Sequence, residues 1–483
     1  MEPMTWTGSL GFVLNPLLLA GGVLLLVAVV LSVLIRLVTP EPQVTVSPDG
    51  TLAVHPGLRS YTSLAVRAAG ALLVATLLAY VLGGILLPWG QAGIVGAIAR
   101  RFLPVWVALI LTFTLSIAYS PHLGLYGRLF DSTVGKIGFG LVMFWVFTAL
   151  SVGVFGWIAT HDPLAAVSGL KNKPPGIPVP GVDLLGPGSH YLLGGDNLAR
   201  DVFSRVVHGS WIVVQIAPIA TCFAFMVGIT LGLPAGYYGG RLDTAISFLA
   251  NLILAFPVIL LFYLLVTPEI VQTGIPSFMA AGLFIFPLVF VGVLIWSRYR
   301  TEPRRAMTML GVILAVMGWG YLSLISQAGT PLAFMGPVDL FDVPPGVLVV
   351  FVSVVFVNSP TVFRIVRGLA MDIKTRDYVA AAQTRGERPW YIMLWEILPN
   401  ARGPLIVDFC LRIGYTTILL GTLGFFGLGL PPESPDWGST INAGRQLLAV
   451  FPHPAIVPAV ALLSLVLGLN LLADGLREES LRD

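Results

Sequence analysis

The chain has 483 residues, of which 56% are hydrophobic and 11% charged. A soluble domain carries roughly 25% charged residues, so this composition, with a mean hydropathy of +0.88, excludes a soluble globular protein and indicates many membrane spans. The formal net charge of +3 and the absence of a dense basic stripe exclude nucleic acid as a partner.

A helical span needs about 20 apolar residues. Eleven segments qualify: 17–38, 66–87, 102–120, 137–158, 210–236, 246–266, 277–296, 307–325, 346–363, 404–426 and 455–473. They are continuous apolar runs without strand-like alternation, and in lipid only helices or closed barrels satisfy their backbone. The expected fold class is all-α: a polytopic membrane protein of about 11 transmembrane helices. Met1-Glu-Pro-Met-Thr-Trp6 lacks the basic region of a signal peptide, so the run at 17–38 is expected to be a retained helix.

Lys and Arg in short loops set orientation. Arg298, Arg300, Arg304 and Arg305 cluster in one loop. Arg364, Arg367, Lys374, Arg376, Arg385, Arg388 and Arg402 crowd another, two spans later, and Arg36, Arg59 and Arg67 flank the loop at 39–65. All three loops are expected inside, which puts the N-terminus outside and the tail with Arg477 and Arg482 inside. Arg100 and Arg101 run against this arrangement. The long stretch 159–209 is rich in Pro and Gly (Lys173-Pro-Pro-Gly-Ile-Pro-Val-Pro-Gly181), the composition of a turn-rich loop, and falls outside.

Cys222 and Cys410 lie in apolar runs and read as small core hydrophobes. His161, His190, His208 and His453 have no metal-site spacing, and no metal is expected. Gly135-Lys136 is followed by Ile137, not Ser or Thr, and no phosphate-binding loop occurs, so the chain is not expected to be an enzyme that hydrolyses ATP. No catalytic nucleophile motif stands out.

The most informative stretch is Tyr378-Val-Ala-Ala-Ala-Gln-Thr-Arg-Gly386, continuing through Trp390 to Pro399-Asn400. Thr375 or Asp377 can cap a short helix, Ala380, Ala381 and Ala382 favour it, and Gly386 can end it in a left-handed turn. Three alanines form a low-relief surface that another protein can approach closely. Within the following span, Asp408 and Arg412 stand four apart, a spacing at which they neutralise each other or line a pore. Asp196, Arg200, Asp201 and Arg205 precede a span on the outer side, as a solvated cap with local ion pairs or as part of an outer vestibule.

Ala-Ala, three residues, Gly386, and Ile397-Leu-Pro399 thirteen residues on together resemble the signature loop of ABC importer permeases. Gly194-Gly-Asp196-Asn-Leu-Ala-Arg200-Asp201, Gly236-Tyr-Tyr-Gly-Gly240 with Asp243, Ala255-Phe-Pro257, Phe425-Phe-Gly-Leu-Gly429, Pro435-Asp-Trp437-Gly438, Gly444-Arg445 and Asn470-Leu-Leu-Ala-Asp474-Gly475 are similar to the dipeptide and oligopeptide branch, second-permease type. The resemblance covers roughly 137–266 and 346–480. It implies a permease subunit of an ATP-driven importer, for peptides as the branch goes, in the inner or plasma membrane of a prokaryote. The loop at 374–400, through Tyr378, Ala380, Ala381, Ala382, Gly386 and Pro399, would be the coupling element that docks on an ATPase.

The implied partners are a second permease of similar fold, one or two cytoplasmic ATPase subunits that bind ATP and Mg, and an extracytoplasmic substrate-binding protein. The chain departs from the family in having Ala380 where Glu is usual, with Asp377 or Glu387 as substitutes. The family fold has six spans. The five extra form an N-terminal block at 1–130 and a hairpin at 277–325 inserted into a core at 137–483. The alternatives from other classes are an ion-coupled secondary transporter, which would need midplane carboxylates, and a non-transporting accessory membrane subunit.

Overall fold

Every apolar run is helical in the computed structural model, which describes residues 3–38, 44–46, 52–54, 58–88, 91–182, 186, 188–299, 301–326, 332, 345–428, 431 and 433–480. Arg300, Gly429 and Arg482 lie outside the described residues. Among those described, nine helical segments are long and apolar enough to cross a membrane, and two bent pairs raise the number to eleven. The chain divides into two compact units, Met1–Trp106 with Thr160–Phe203, and Val107–Ala159 with Ser204–Asp483.

The first unit contains α1 (Gly11–Val38), the antiparallel pair β1 (Val44–Val46) and β2 (Leu52–Val54), α2 (Leu58–Leu86), α3 (Gly93–Arg101) and the start of α4 (Leu103–Ala118). α1 and α2 pack along each other, tied by Tyr80 Oη donating to Asn15 Oδ1 at 2.5 Å. Their remaining surface is apolar and exposed, as at Phe12, Leu37 and Leu86, because lipid is the solvent there. The Pro/Gly-rich loop belongs to this unit. It holds the antiparallel pair β3 (Ile177–Pro178) and β4 (His190–Tyr191), and the Met4 N–H donates to the Gly176 carbonyl at 2.8 Å. The loop was expected to be turn-rich without a packed core, yet it has a small core of its own in Leu170, Val179, Tyr191 and Ala199.

The second unit contains the rest of α4, α5 (Gly124–Arg128), α6 (Thr133–Gly153), α7 (Val202–Tyr238, whose first two residues close the first unit), α8 (Gly240–Ala255), α9 (Val258–Val266) and α10 (Pro268–Gln272). α11 (Ile275–Leu283), α12 (Ile285–Arg298), α13 (Pro303–Ile325), α14 (Pro345–Ile373), α15 (Asp377–Thr384), α16 (Pro389–Tyr391) and α17 (Leu398–Asn400) follow. α18 (Arg402–Phe425), α19 (Trp437–Arg445) and α20 (His453–Ser480) complete it. Residues 107–130 lie in this compact unit, where Phe113 makes edge contacts with Phe130 and Phe139, at 6.0 and 5.4 Å.

One expected continuous span is sharply broken, and a second spans as one segment with a slight break. α8 and α9 meet at a bend of 82°, where Phe256 is extended before Pro257. A residue preceding proline is pushed out of the helical region, and proline cannot bond back to the preceding turn. The inserted segment at 277–296 is likewise two helices, α11 and α12, joined at Phe284. It pairs with α13 as a hairpin, in which Tyr321 Oη donates to the Ala281 carbonyl at 2.8 Å.

Candidate functional site

α7 is the organising rod of the second unit. From Val207 to Tyr237 it rises about 45 Å at 1.5 Å per residue. One face carries Gly228, Gly232 and Gly236, four residues apart, against α14. A methyl group on Gly228 would lie 2.5 Å from Val362 Cγ1, on Gly232 2.9 Å from Val366 Cβ, and on Gly236 2.6 Å from the Arg367 carbonyl oxygen. Lipid tails supply no hydrophobic drive between helices, so such small-residue rows, which let backbones approach, hold membrane helices together. Halfway along, Thr221 and Thr416 hydroxyls lie 3.3 Å apart and Asn358 Nδ2 donates to Thr416 Oγ1 at 3.4 Å, joining α7, α14 and α18 through a buried polar node.

At its N-terminal end, α7 is clamped to the segment that leads into α19. Arg205 Nη2 donates to the Ser434 carbonyl at 2.8 Å and Nε to Thr440 Oγ1 at 3.2 Å. Trp437, 1% exposed, donates from Nε1 to the Val206 carbonyl at 2.8 Å. Trp145 meets its ring edge-on at 5.0 Å and donates to Ser464 Oγ. Asp436 caps α19 by accepting the Ser439 N–H at 2.9 Å. Burial pushes its carboxyl above the ordinary carboxylate value, against the opposing hydrogen bonds from Ser439 and the charge of Arg205.

At its C-terminal end, α7 meets the loop of 374–400. Lys374 Nζ donates to the Gly236 carbonyl at 2.9 Å and lies 3.4 Å from that of Tyr237, filling acceptors that a helix C-terminus leaves open. Gln383 Nε2 donates to Tyr237 Oη at 3.3 Å. Arg367 on α14 pairs with Asp243 on α8 through both carboxylate oxygens.

The loop forms α15 as its composition suggests, but its start differs from expectation. The N-cap is Arg376, Asp377 stands in the first turn, and the Thr375 hydroxyl donates back to the Asp372 carbonyl at 2.8 Å, so neither side chain caps the helix. Back-bonding to the preceding turn is the common competing use of a threonine hydroxyl. The end follows the sequence. Gly386 has φ +76°, its N–H donates to the Gln383 carbonyl, and the Glu387 N–H reaches the Ala382 carbonyl at 3.2 Å, the paired bonds of a left-handed helix stop. A methyl group on Gly386 would touch nothing within 4 Å, so backbone conformation alone demands glycine there. Pro389 then opens α16, and six residues, Ile392–Ile397, follow in a π-helical turn ahead of Pro399, which has no N–H to return to Trp395.

α15 has two faces. Val379 and Ala382 are fully buried, packed in one cluster with Val366, Ala370, Ile392 and Ile397. Tyr378, Ala380 and Ala381 are exposed, as are Gly386 and Pro399. Asp377 shares this outer stripe, one turn before Ala380 and Ala381. Of the three alanines, two form the low-relief surface and the third anchors it.

The remaining candidates fall into two separate places. Asp408 Oδ2 and Arg412 Nε are 2.8 Å apart within α18, both largely buried. Asp196, Arg200 and Asp201 are buried inside the fold of the 160–203 loop. Arg200 pairs with Asp196 at 2.7 Å, while Asp201 accepts from Thr160 Oγ1 at 2.8 Å and from the Phe203 N–H at the head of α7. Arg205, adjacent in sequence, belongs to the α19 clamp instead. The glycine row was readable as Gly-x-x-x-Gly-x-x-x-Gly. The clamp joins residues more than 200 positions apart, and no local pattern signals it.

Residues 228–478, from the first glycine of the α7 row to the end of α20, match the family described as binding-protein-dependent transport system inner membrane component. The chain belongs to this family. The permease is 29% identical over 293 residues to the glutathione transport system permease protein GsiD of Pectobacterium atrosepticum, covering 61% of the permease and 73% of that protein. It is 29% identical over 288 residues to the dipeptide transport system permease protein DppC of Haemophilus influenzae, covering 60% and 72%. Against DppC of Alkalihalophilus pseudofirmus the identity is 26% over 295 residues, covering 61% and 73%. The permease is therefore a multi-pass inner-membrane subunit of an ABC importer, a transport component and not an enzyme.

Proposed function

We propose that the permease forms half of a peptide translocation pathway and that residues 374–400 couple it to a cytoplasmic ATPase. The observation that carries the coupling role is the two-faced α15. Its exposed stripe of Asp377, Tyr378, Ala380 and Ala381 offers a flat docking surface, while Val379 and Ala382 lock its other face into the cluster around α14. Lys374 fastens the same loop to the end of α7. A push on the stripe is thus delivered to the two helices that pack through the glycine row.

In this reading, a second permease of similar fold completes the pathway, and one or two ATPase subunits bind ATP and Mg. A binding protein delivers substrate on the side of the 159–209 loop. Asp377 supplies the carboxylate that Ala380 lacks. Residues 137–483 are the transport core, to which the 1–130 block and the 277–325 hairpin are additions. The peptide substrate class rests on the dipeptide and glutathione transport named for the relatives. ATP binds the closed ATPase dimer more tightly than the open one, and that difference in affinity drives the pathway from outward- to inward-facing.

Copurification and coupled assays test the proposal. The permease should isolate with an ATPase, and the double variant Ala381→Asp, Gly386→Arg should keep the complex's ATP hydrolysis while losing most ATP-dependent dipeptide uptake. Uptake at the unaltered rate in that variant sinks the coupling role.

A further inference from the structure

We propose that the seam between the inserted hairpin and the Pro389–Tyr391 turn binds one anionic glycerophospholipid of the cytoplasmic leaflet, its acyl chain along α12 and its phosphate at Arg388. The seam is a groove of about 580 Å³, within the roughly 300–1,000 Å³ usual for small-molecule sites. Its floor is the α12 stripe Leu288, Gly292 and Trp296, with Leu310 and Leu314 of α13 as one wall and Trp390 as the other. Gly292 makes the room. A methyl group there would already touch Leu310 at 3.9 Å and Leu314 at 4.0 Å, so any larger side chain at this position would enter the groove.

The groove is polarised from end to end. From Leu288 to Ser297 α12 rises about 13 Å, close to the depth of one leaflet in a hydrocarbon core about 30 Å thick. The deep end is wholly aliphatic. The shallow end presents Ser297, Tyr391 and Arg388. The walls at that end are fixed, because Trp395 Nε1 donates to Ser297 Oγ at 3.0 Å and the Arg298 guanidinium lies 5.0 Å over the Trp395 ring.

Charge selects the headgroup. Among the described residues, the charged groups at this end of the hairpin and turn are Arg298, Glu302, Arg304, Arg305, Glu387 and Arg388, with Arg385 and Glu396 alongside, paired to each other at 3.0 Å. Glu302 is taken by Arg305 at 2.7 Å. Among the described residues, Arg298, Arg304 and Arg388 have no carboxylate within ion-pair distance, which leaves the rim cationic around one carboxylate, Glu387. An apolar slot one leaflet deep with a cationic, aromatic mouth matches an anionic lipid. It does not match a buried helix of another subunit, which would leave Arg388 to be desolvated without a counter-charge. The bound lipid would steady Trp390 and Tyr391 where the coupling segment begins. That consequence rests on the function proposed above, but the lipid site does not.

Native mass spectrometry of the assembled importer tests the site, after equilibration with phosphatidylglycerol or with phosphatidylethanolamine. The permease should retain one more phosphatidylglycerol than the Gly292→Phe variant, whose ring fills the slot. Gly311→Phe, at a position on α13 with nothing within 4 Å, should match the unaltered protein. Arg388→Gln should lower the preference for phosphatidylglycerol about tenfold, the scale of one charge-assisted hydrogen bond, and it carries the test if Gly292→Phe does not assemble. Equal retention of both lipids, an unchanged lipid count in Gly292→Phe, or a cross-link from Leu288→Cys to the second permease by a photoactivated reagent attached to that thiol overturns the proposal. Failure of the coupling role alone leaves the lipid counts unchanged.

Discussion

Gly232 sits at the centre of the α7–α14 seam, and an added methyl group there tests whether that seam transmits coupling. In an exposed helix Gly→Ala gains about 1 kcal/mol from propensity. Here the new carbon would lie 2.9 Å from Val366 Cβ and 3.0 Å from the Phe363 carbonyl oxygen. Carbon atoms pack best at about 3.5–4.0 Å, so the helices must part by roughly 0.5–1 Å, and each contact along the row then forfeits about a quarter to a half of its attraction. Overpacking of this kind costs about 1–3 kcal/mol, which exceeds the propensity gain. Gly232→Leu adds three further heavy atoms to the same space and should cost more. The expected result is a progressive fall in the melting temperature of the solubilised complex from Gly232 to Ala to Leu. Dipeptide uptake per ATP hydrolysed in proteoliposomes should fall in parallel. An unchanged melting temperature and uptake ratio in Gly232→Leu would refute the reasoning, since no rearrangement of Val366 removes a clash that also involves the backbone.

Asp408→Leu and Arg412→Met should each destabilise the complex by about 3 kcal/mol, because each leaves a largely buried charge without its partner. The double variant should recover most of that loss in thermal unfolding, and near-additive losses would contradict the pairing. Asp436 has a carboxyl raised above its unfolded value by burial, so its protonated form is favoured in the fold. That contribution is full below the unfolded value near 4 and is lost as pH rises through the raised value. Asp436→Asn keeps a competent cap and should melt higher than the unaltered complex once the pH rises above the unfolded value. A lower melting temperature at pH 7 would show that the ionised carboxylate and Arg205 stabilise the clamp instead.

The spans were legible because lipid imposes long uniform apolar runs, and the stop at Gly386 because one residue type suits a left-handed turn. Pro257 carried the signal for the 82° break in 246–266, yet hydropathy alone read through it. The helix start at Arg376 was misread because Thr375 can equally bond forwards or back, and the sequence does not record which. Two kinds of feature were beyond local patterns. The 159–209 stretch read as an extended, turn-rich loop by composition, while its internal packing comes from contacts such as Met4 to Gly176 and from the buried Asp196–Arg200 pair. The clamp places Arg205 and Trp437 together across 232 positions, and neither residue advertises its partner. Burial likewise separated three adjacent alanines into an anchor, Ala382, and a surface, Ala380 and Ala381.

The most direct measurement of the coupling account is cysteine cross-linking in native membranes, comparing Ala381→Cys with Ala382→Cys. The two positions are neighbours in sequence but differ in burial on α15, Ala381 exposed and Ala382 fully buried. The account predicts that a short bifunctional reagent joins Ala381→Cys to the ATPase subunit, with a yield that changes when ATP is trapped in the complex, and leaves Ala382→Cys unmodified. A permease in which neither cysteine, or only Ala382→Cys, reaches the ATPase would contradict it.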